Sequence, residues 1–372
     1  MASSGTASTS FQRKTRVKIP QILGTRPSLH NNQLLISSGI PSLDNLIGGG
    51  FAVGTVVLIE EDKYGSYSKM MLKYFLAEGV MNKHELFLTS SDLDPQDLLN
   101  ELPAPLLDEP VLKTGQSTEL TDDMKIAWRY KNLPQVQSVV SGVKFGHYYD
   151  LTKTMDPIML ETTNKTLLPL TDDICNKCGK LMKGACVEVL NSIQQTIEKG
   201  DFRTGTPQQH RNILRIGIHS FGSPQWGDDI KTDTIPSMCR FLYVLRALMR
   251  TTYAVCMITF PAHIFQDTSL PRYLQHLSDL AIRLESFTGS SLEKNPAFQE
   301  YHGLFHLLKL PRLNSLSCHM PDTMDLAFKL RKKRFMIEKL HLPPELSETV
   351  ARTQDDDSVS CGSSTTNNKL DF

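Results

Sequence analysis

No stretch of this 372-residue chain approaches the roughly 18 consecutive apolar residues that a membrane-spanning helix needs, so no such helix is expected. An excess of one charge is missing too. Forty basic and 40 acidic residues give a formal net charge of zero, which confines any nucleic-acid binding to local patches. Cysteine is sparse and odd in number, at seven, which fits thiols in a reducing compartment better than a disulfide framework. The Asn164-Lys165-Thr166 sequon then has no glycosylation role. The opening MASSGTASTSFQRKTRVK lacks the apolar centre of a secretory signal. Its Arg, Lys and Ser content without acid matches a mitochondrial presequence, but the apolar periodicity is absent; cytosol, nucleus or both is the expectation. No Ser/His/Asp, Cys/His or H-E-x-x-H arrangement stands at informative spacing, and there is no internal repeat. What is present is ordinary: 40% apolar and 22% charged residues, enough for a sizeable core.

One further absence is more informative because its surroundings are intact. An apolar strand over 55–60 (Val56, Val57, Leu58, Ile59) runs into a loop and then a helix over 68–79 carrying Met70, Met71, Leu72 and Phe75. In that order, backbone N–H groups and a helix N-terminus create an anion site. The arrangement resembles the entry to a RecA-like P-loop domain, whose loop reads G-x-x-x-x-G-K-[ST]. Set against the strand, the four key positions are Glu61, Ser66, Tyr67 and Ser68, so only the Ser68 hydroxyl survives. The glycines that let backbone approach phosphate are gone, and the neutralising lysine is a tyrosine. Glu60, Glu61 and Asp62 add negative charge where a triphosphate would sit, outweighing Lys63. The Walker B strand, best matched by Ile213 to Ile218, ends in His219 and Ser220, and no acid follows before Asp228 and Asp229. The expected fold class is α/β, a RecA-like P-loop NTPase fold with degenerate Walker A and Walker B motifs and no catalytic residues. A nucleotide site shared between subunits, with arginine from a neighbour, stays open.

Residues 1–20 are expected to be disordered, 21–346 to form the RecA-like domain, and 347–372, with Asp355, Asp356 and Asp357, to form a disordered acidic and polar tail. Gly48, Gly49 and Gly50 precede the strand rather than follow it, so they read as a backbone turn and not as a phosphate cradle. Strands near 86–88, 213–218, 254–260, 280–284 and 303–310 alternate with helices near 95–101 and 241–249, which implies a largely parallel sheet covered on both faces. Between about 131 and 210, prolines and threonine-rich stretches break the pattern around one helix-like segment, 185–199. That stretch reads as an irregular insertion.

Cys175, Cys178 and Cys186 suggest half of a zinc ribbon, but a fourth ligand at usual spacing is missing and His210 is distant; unligated cysteines and no metal are expected. Residues 326–340 read as a strand or hairpin pair around Lys329, Arg331, Lys332, Lys333 and Arg334, with Phe328 and Phe335 interleaved. The functional reading is a phosphate-contacting hairpin whose aromatics stack on bases. The favoured reading is a solvated tip with both phenylalanines facing the core. Loops 219–235 (Trp226, Lys231) and 261–278 (His263, Arg272, His276) are separate candidates. The nucleic-acid contacts to test are therefore Lys231, Arg272, Arg331, Lys332 and Lys333. His147 reads as a hydrogen-bonded packing histidine.

Taken in order, GTRPSLHNNQLLISSGIPSLDNLIGGG (24–50), GTVVLIEEDKY (54–64), LPAPLL (102–107), MKIAWRY (124–130), FGHYYD (145–150), NILRIGIHSFGSPQWGDD (212–229), FLYVLR (241–246), LPRLNSL (310–316) and LHLPPEL (340–346) closely resemble the family of the fourth subunit of the Elongator complex. The resemblance implies a RecA-like fold without working Walker motifs. It also implies a heterohexameric ring with subunits five and six, which binds tRNA and uses ATP hydrolysis to modulate its release. That ring docks on a catalytic lobe that installs carboxymethyl-type groups on carbon 5 of the wobble uridine. On this reading the chain is an accessory subunit that binds no cofactor alone, with ATP left to ring interfaces and no membrane partner. Two other readings stay open: a RecA/KaiC-type recombinase paralogue with its own ATPase, and a pure scaffold.

Overall fold

Val56 to Ile59 are fully buried although successive side chains of a strand point to opposite faces. That pattern requires a sheet covered on both sides, and the computed structural model has one. It describes residues 22–28, 33–106, 145–170, 184–205, 211–226, 234–314, 316, 319–331 and 333–341. Lys231, Lys332, Cys175, Cys178, His210, the 124–130 segment and both chain ends expected to be disordered lie outside them.

The N-terminal part forms a small antiparallel sheet of β1 (Thr25–Pro27), β2 (Leu34–Ile36) and β3 (Phe51–Ala52) around α1 (Pro41–Leu46). The main elements then follow: β4 (Thr55–Glu60), α2 (Ser66–Met81), β5 (Glu85–Ser90), α3 (Pro95–Asn100), β6 (Pro103–Pro105), β7 (Tyr149–Thr154), α4 (Pro157–Thr162), β8 (Lys165–Pro169) and α5 (Gly184–Lys199). The second half adds β9 (Leu214–His219), α6 (Thr234–Met249), β10 (Ala254–Phe260), α7 (Ser269–Leu277), β11 (Leu280–Ser286), β12 (Gly303–Lys309), β13 (Leu326–Arg331) and β14 (Arg334–Lys339). One sheet runs β14-β13-β12-β11-β4-β10-β9-β5-β8, parallel from β11 to β8 and antiparallel through β12, β13 and β14. The strand before the phosphate loop, β4, lies between β10 and β11, with β9 and β5 beyond β10. This is the RecA-like arrangement.

Val57 and Ile59 pack with α2 on one face; Val56 and Leu58 pack with α5, α6 and α7 on the other. The short helices start where the sequence dictates. Asp94 and Asp156 accept hydrogen bonds from the N–H groups of Gln96 and Ile158, each with proline at the first helical position. Gly48, Gly49 and Gly50 make a turn, all with positive φ; a Cβ on Gly50 would lie 2.4 Å from the Ile36 carbonyl oxygen. The stretch expected to be an irregular insertion is corrected in its described part. It supplies β7, α4 and β8, and β8 extends the main sheet in parallel beside β5. Pro157 starts α4 and Pro169 ends β8, where they break no helix or ladder.

Arg215, at the second position of β9, is fully buried. Its Nε donates to His84 Nδ1 (3.0 Å), its Nη1 donates to the carbonyls of Ser37 (2.9 Å) and Phe75 (3.0 Å), and the guanidinium lies 4.7 Å from the centre of the Phe75 ring. His84 Nε2 meets the Leu23 carbonyl at 2.8 Å, so its Nδ1 accepts and the ring is neutral. Burial and the charge of Arg215 push the His84 pKa down to about 3. Glu78 of α2 supplies the counter-charge. Despite its burial, hydrogen bonds from His147 and Tyr149 and the nearby Arg215 hold its carboxyl down to about 2. His147 is thus a packing and hydrogen-bonding residue.

Two outcomes follow for the folded chain. Arg215→Met should lower stability by about 3–5 kcal/mol, because it leaves the buried Glu78 charge unbalanced and takes the donor from His84 Nδ1 and the Ser37 carbonyl; denaturant titration measures this. A histidine whose folded pKa is depressed contributes stability that is present above its ordinary value and lost as pH falls. The melting temperature should therefore drop as pH falls from 6.5 toward 3, and His84→Gln should flatten that slope.

Candidate functional site

The loop after β4 and the start of α2 stand where a P-loop stands, and the helix N-terminus there offers N–H groups with no intrahelical acceptor. In this chain those groups are already taken. Asp62 Oδ2 accepts from Ser66 N (3.1 Å), and Oδ1 accepts from Tyr67 N (3.0 Å) and Ser68 N (3.1 Å). Asp62 is 1% exposed, and its carbonyl also accepts from Gly65 N at 2.8 Å. Gly65, in the left-handed region at φ 63°, turns the loop into the helix so that the carboxylate of Asp62 faces the helix end. A carboxylate of the chain itself therefore occupies the place of a bound phosphate. The Ser68 hydroxyl donates to the Gly65 carbonyl at 3.2 Å.

The three acids of the loop, expected to sit together where a triphosphate would, are parted by the structure. Glu60, the last residue of β4, points to α7 and β11, where Gln275 Nε2 (2.5 Å) and Arg283 Nε (2.6 Å) donate to its two oxygens. Only Asp62 enters the anion site. Glu61 lines a cleft of about 330 Å³ at the carboxyl ends of β4, β5, β9 and β10, together with Lys63, Lys69, Asp92, His219 and His263. In an open α/β sheet that edge is where ligands bind. Burial, with a smaller contribution from the charge of Asp92, pushes the Glu61 pKa up to about 7 against hydrogen bonding to Thr259 and Ser220.

Tyr67, at the lysine position, turns away from this cleft. Its ring lies 4.6 Å from that of Phe328 and 6.5 Å from that of Phe335, joining α2 to the β13–β14 hairpin. The strand that would carry the Walker B acid ends in His219, whose Nδ1 meets Ser90 Oγ at 3.2 Å and whose pKa is lowered by burial to about 4. Ser220 follows at φ 52°, held by a hydrogen bond from its N–H to Thr259 Oγ1 (2.8 Å). Asp92, on the same edge, accepts from Ser223 Oγ (2.6 Å) and Ser91 Oγ (2.8 Å). Among the described residues, no group of three or more His, Cys, Asp or Glu has metal-holding geometry.

The residues singled out for nucleic acid do not converge on one surface element. Arg272 is exposed on α7, whereas Arg331 and Lys333 are exposed at the β13–β14 turn, where Lys333 Nζ pairs with Asp150 at 3.1 Å. Lys231 and Lys332 lie outside the described residues. Phe328 and Phe335 are buried, 0% and 4% exposed, so base stacking by this hairpin is ruled out. Trp226 is also a core residue, edge-on to Phe221. Cys186 is buried on the inward face of α5. The anion-filling role of Asp62 is not among the sequence-based expectations; the available signal is only that a helix N-terminus favours a nearby acid.

A glutamate whose folded pKa is raised contributes stability that is greatest below its ordinary value of 4.5 and lost as pH rises through about 7. Glu61→Gln should accordingly melt at nearly the wild-type temperature at acid pH and gain above neutrality, by up to a few kcal/mol. Melting curves of both proteins across that pH range measure it.

A family model described as PAXNEB protein matches residues 18–372. Among curated relatives, Elongator complex protein 4 of Danio rerio is 48% identical, covering 97% of this chain and 95% of its own length. Elongator complex protein 4 of Homo sapiens is 45% identical over 93% of this chain and 87% of its own, and that of Saccharomyces cerevisiae 22% identical over 89% and 78%. Among solved structures, a KaiC-like protein from the archaeon Pyrococcus horikoshii OT3 aligns with 82% of this chain and 98% of its own, at 14% identity and a TM-score of 0.43.

Proposed function

The chain belongs to the Elongator complex protein 4 family, and from that membership we propose that it is a non-catalytic subunit of a RecA-like heterohexameric ring with subunits five and six. The ring binds tRNA and supports modification of carbon 5 of the wobble uridine by the catalytic lobe. It works in the cytoplasm and also in the nucleus. The isolated chain binds no nucleotide, and ATP is held at ring interfaces that draw residues from neighbouring subunits.

The observation that carries this reading is the filled anion site. Three N–H groups that a working P-loop offers to phosphate are bound to Asp62. The residue at the lysine position packs against the hairpin, and no acid ends β9. An ATPase acting alone, the competing reading, needs all three of these features reversed. The domain keeps the shape of its fold class and has lost the groups that would make it turn over.

With zero net charge, tRNA must be held by local cations. Replacing Arg272 and Lys231 by alanine in the assembled ring should weaken tRNA binding and lower the slope of log affinity against log salt by somewhat under one unit per lost phosphate contact, with assembly intact. Alanine at Arg331, Lys332 and Lys333 tests the hairpin turn in the same assay. A ring whose tRNA affinity and salt slope survive both sets of substitutions contradicts tRNA binding through this subunit.

A further inference from the structure

At the end of the sheet opposite the phosphate loop, a second cleft of about 470 Å³ opens between the ends of α6 and α7, the end of β12 and the loop that follows it. Its charge is one-sided. Among the described residues, Asp279 is the only carboxylate in the lining, and it is saturated: Oδ1 pairs with Arg246 Nη2 (2.9 Å) and Arg250 Nη2 (2.5 Å), while Oδ2 accepts from Val56 N (3.0 Å). Lys309 Nζ donates to the carbonyls of Gln275, His276 and Ser278, closing the C-terminal end of α7 with a cation. Arg312 stands exposed on the rim. Among the described lining residues, three cations (Arg246, Lys309 and Arg312) against one carboxylate leave an excess positive charge in a chain whose total is zero. Burial first, then the charge of the neighbouring Arg246, push the Lys309 pKa down, and Asp279 offsets this only in part.

Beside the polar Gln275 and His276, the lining is aliphatic or thioether: Leu307, Leu308, Leu310, Leu313, Met320 and Met324. Met320 and Met324 are 60% and 47% exposed, and Leu316 on the same loop is fully exposed. Contiguous apolar side chains left in water mark interaction surfaces, and methionine adapts to varied apolar partners. We propose that this cleft is the docking site for an acidic amphipathic peptide segment of a partner protein, its carboxylates meeting Arg312 at the rim in the positive field of Arg246 and Lys309, and its apolar side chains lying on Met320 and Met324. A nucleic-acid strand is the weaker occupant. A phosphate backbone would meet the cations but leave the apolar lip of Met320 and Met324 uncovered.

The test is fluorescence anisotropy of the full chain with a labelled synthetic peptide alternating aspartate with leucine. Controls are the same peptide with asparagine for aspartate, and an unlabelled oligouridylate competitor. We expect salt-sensitive binding that Arg312→Glu weakens by about tenfold or more and Met320→Ser by severalfold. Both residues are exposed, so melting temperatures should stay unchanged. Four results would overturn the proposal: no binding by the wild type, equal binding of the asparagine peptide, affinity indifferent to both substitutions, or displacement of the peptide by oligouridylate. Binding that emerges only after removal of residues 342–372 would assign the cleft to the chain's own acidic tail and overturn the partner assignment.

Discussion

A guanidinium sealed from water, that of Arg215, is the constraint on which the rest of this fold depends. An ion taken out of water needs hydrogen bonds and counter-charge from the protein, and here Nε and Nη1 are bonded while Nη2 is not. Arg215 draws those partners from distant parts of the chain: a carbonyl of the N-terminal segment at Ser37, one of α2 at Phe75, and the imidazole of His84. Glu78 supplies the balancing charge and in turn binds His147 and Tyr149. The N-terminal sheet, α2, β9 and the strand at β7 are thereby fixed around one point. Because α2 begins at the phosphate loop, its anchorage at Phe75 and Glu78 also sets where its N-terminus points.

The helix end so positioned has kept its electrostatic demand while its ligand has changed. Three N–H groups and the helix dipole favour an anion there whatever its source. Asp62 meets that demand from within the chain, so the site is stable without nucleotide. Glu60 is neutralised by Arg283 and Glu61 is raised toward neutrality by burial, which leaves little unbalanced negative charge around the loop. Tyr67 then has no phosphate to serve and instead ties α2 to the hairpin.

Much of this is legible in the amino-acid sequence. The apolar run 56–59, the helix after it and the missing lysine locate the loop, because strand period, helix period and motif spacing are all local signals. The hairpin around Arg331 to Arg334 and the core placement of Phe328 and Phe335 follow from alternation alone. What stays hidden depends on contacts between residues distant in sequence. Arg215 sits inside a strand-like run, LRIGIH, and nothing local says that its partners lie at Ser37 and His84. The separate fates of Glu60, Glu61 and Asp62 turn on alternation about a strand end and on Gly65, which a charge count does not register. The sheet membership of β8 is hidden because Lys165–Pro169 is only partly buried at an edge, so its apolar pattern is short.

The central claim is that Asp62 fills the anion site, and amide hydrogen exchange at Ser66, Tyr67 and Ser68 in the isolated chain tests it most directly. The account predicts that these three amides are protected without any ligand, that ATP with magnesium leaves their exchange unchanged, and that Asp62→Ala releases all three. Rapid exchange in the wild type that slows on addition of ATP would contradict it.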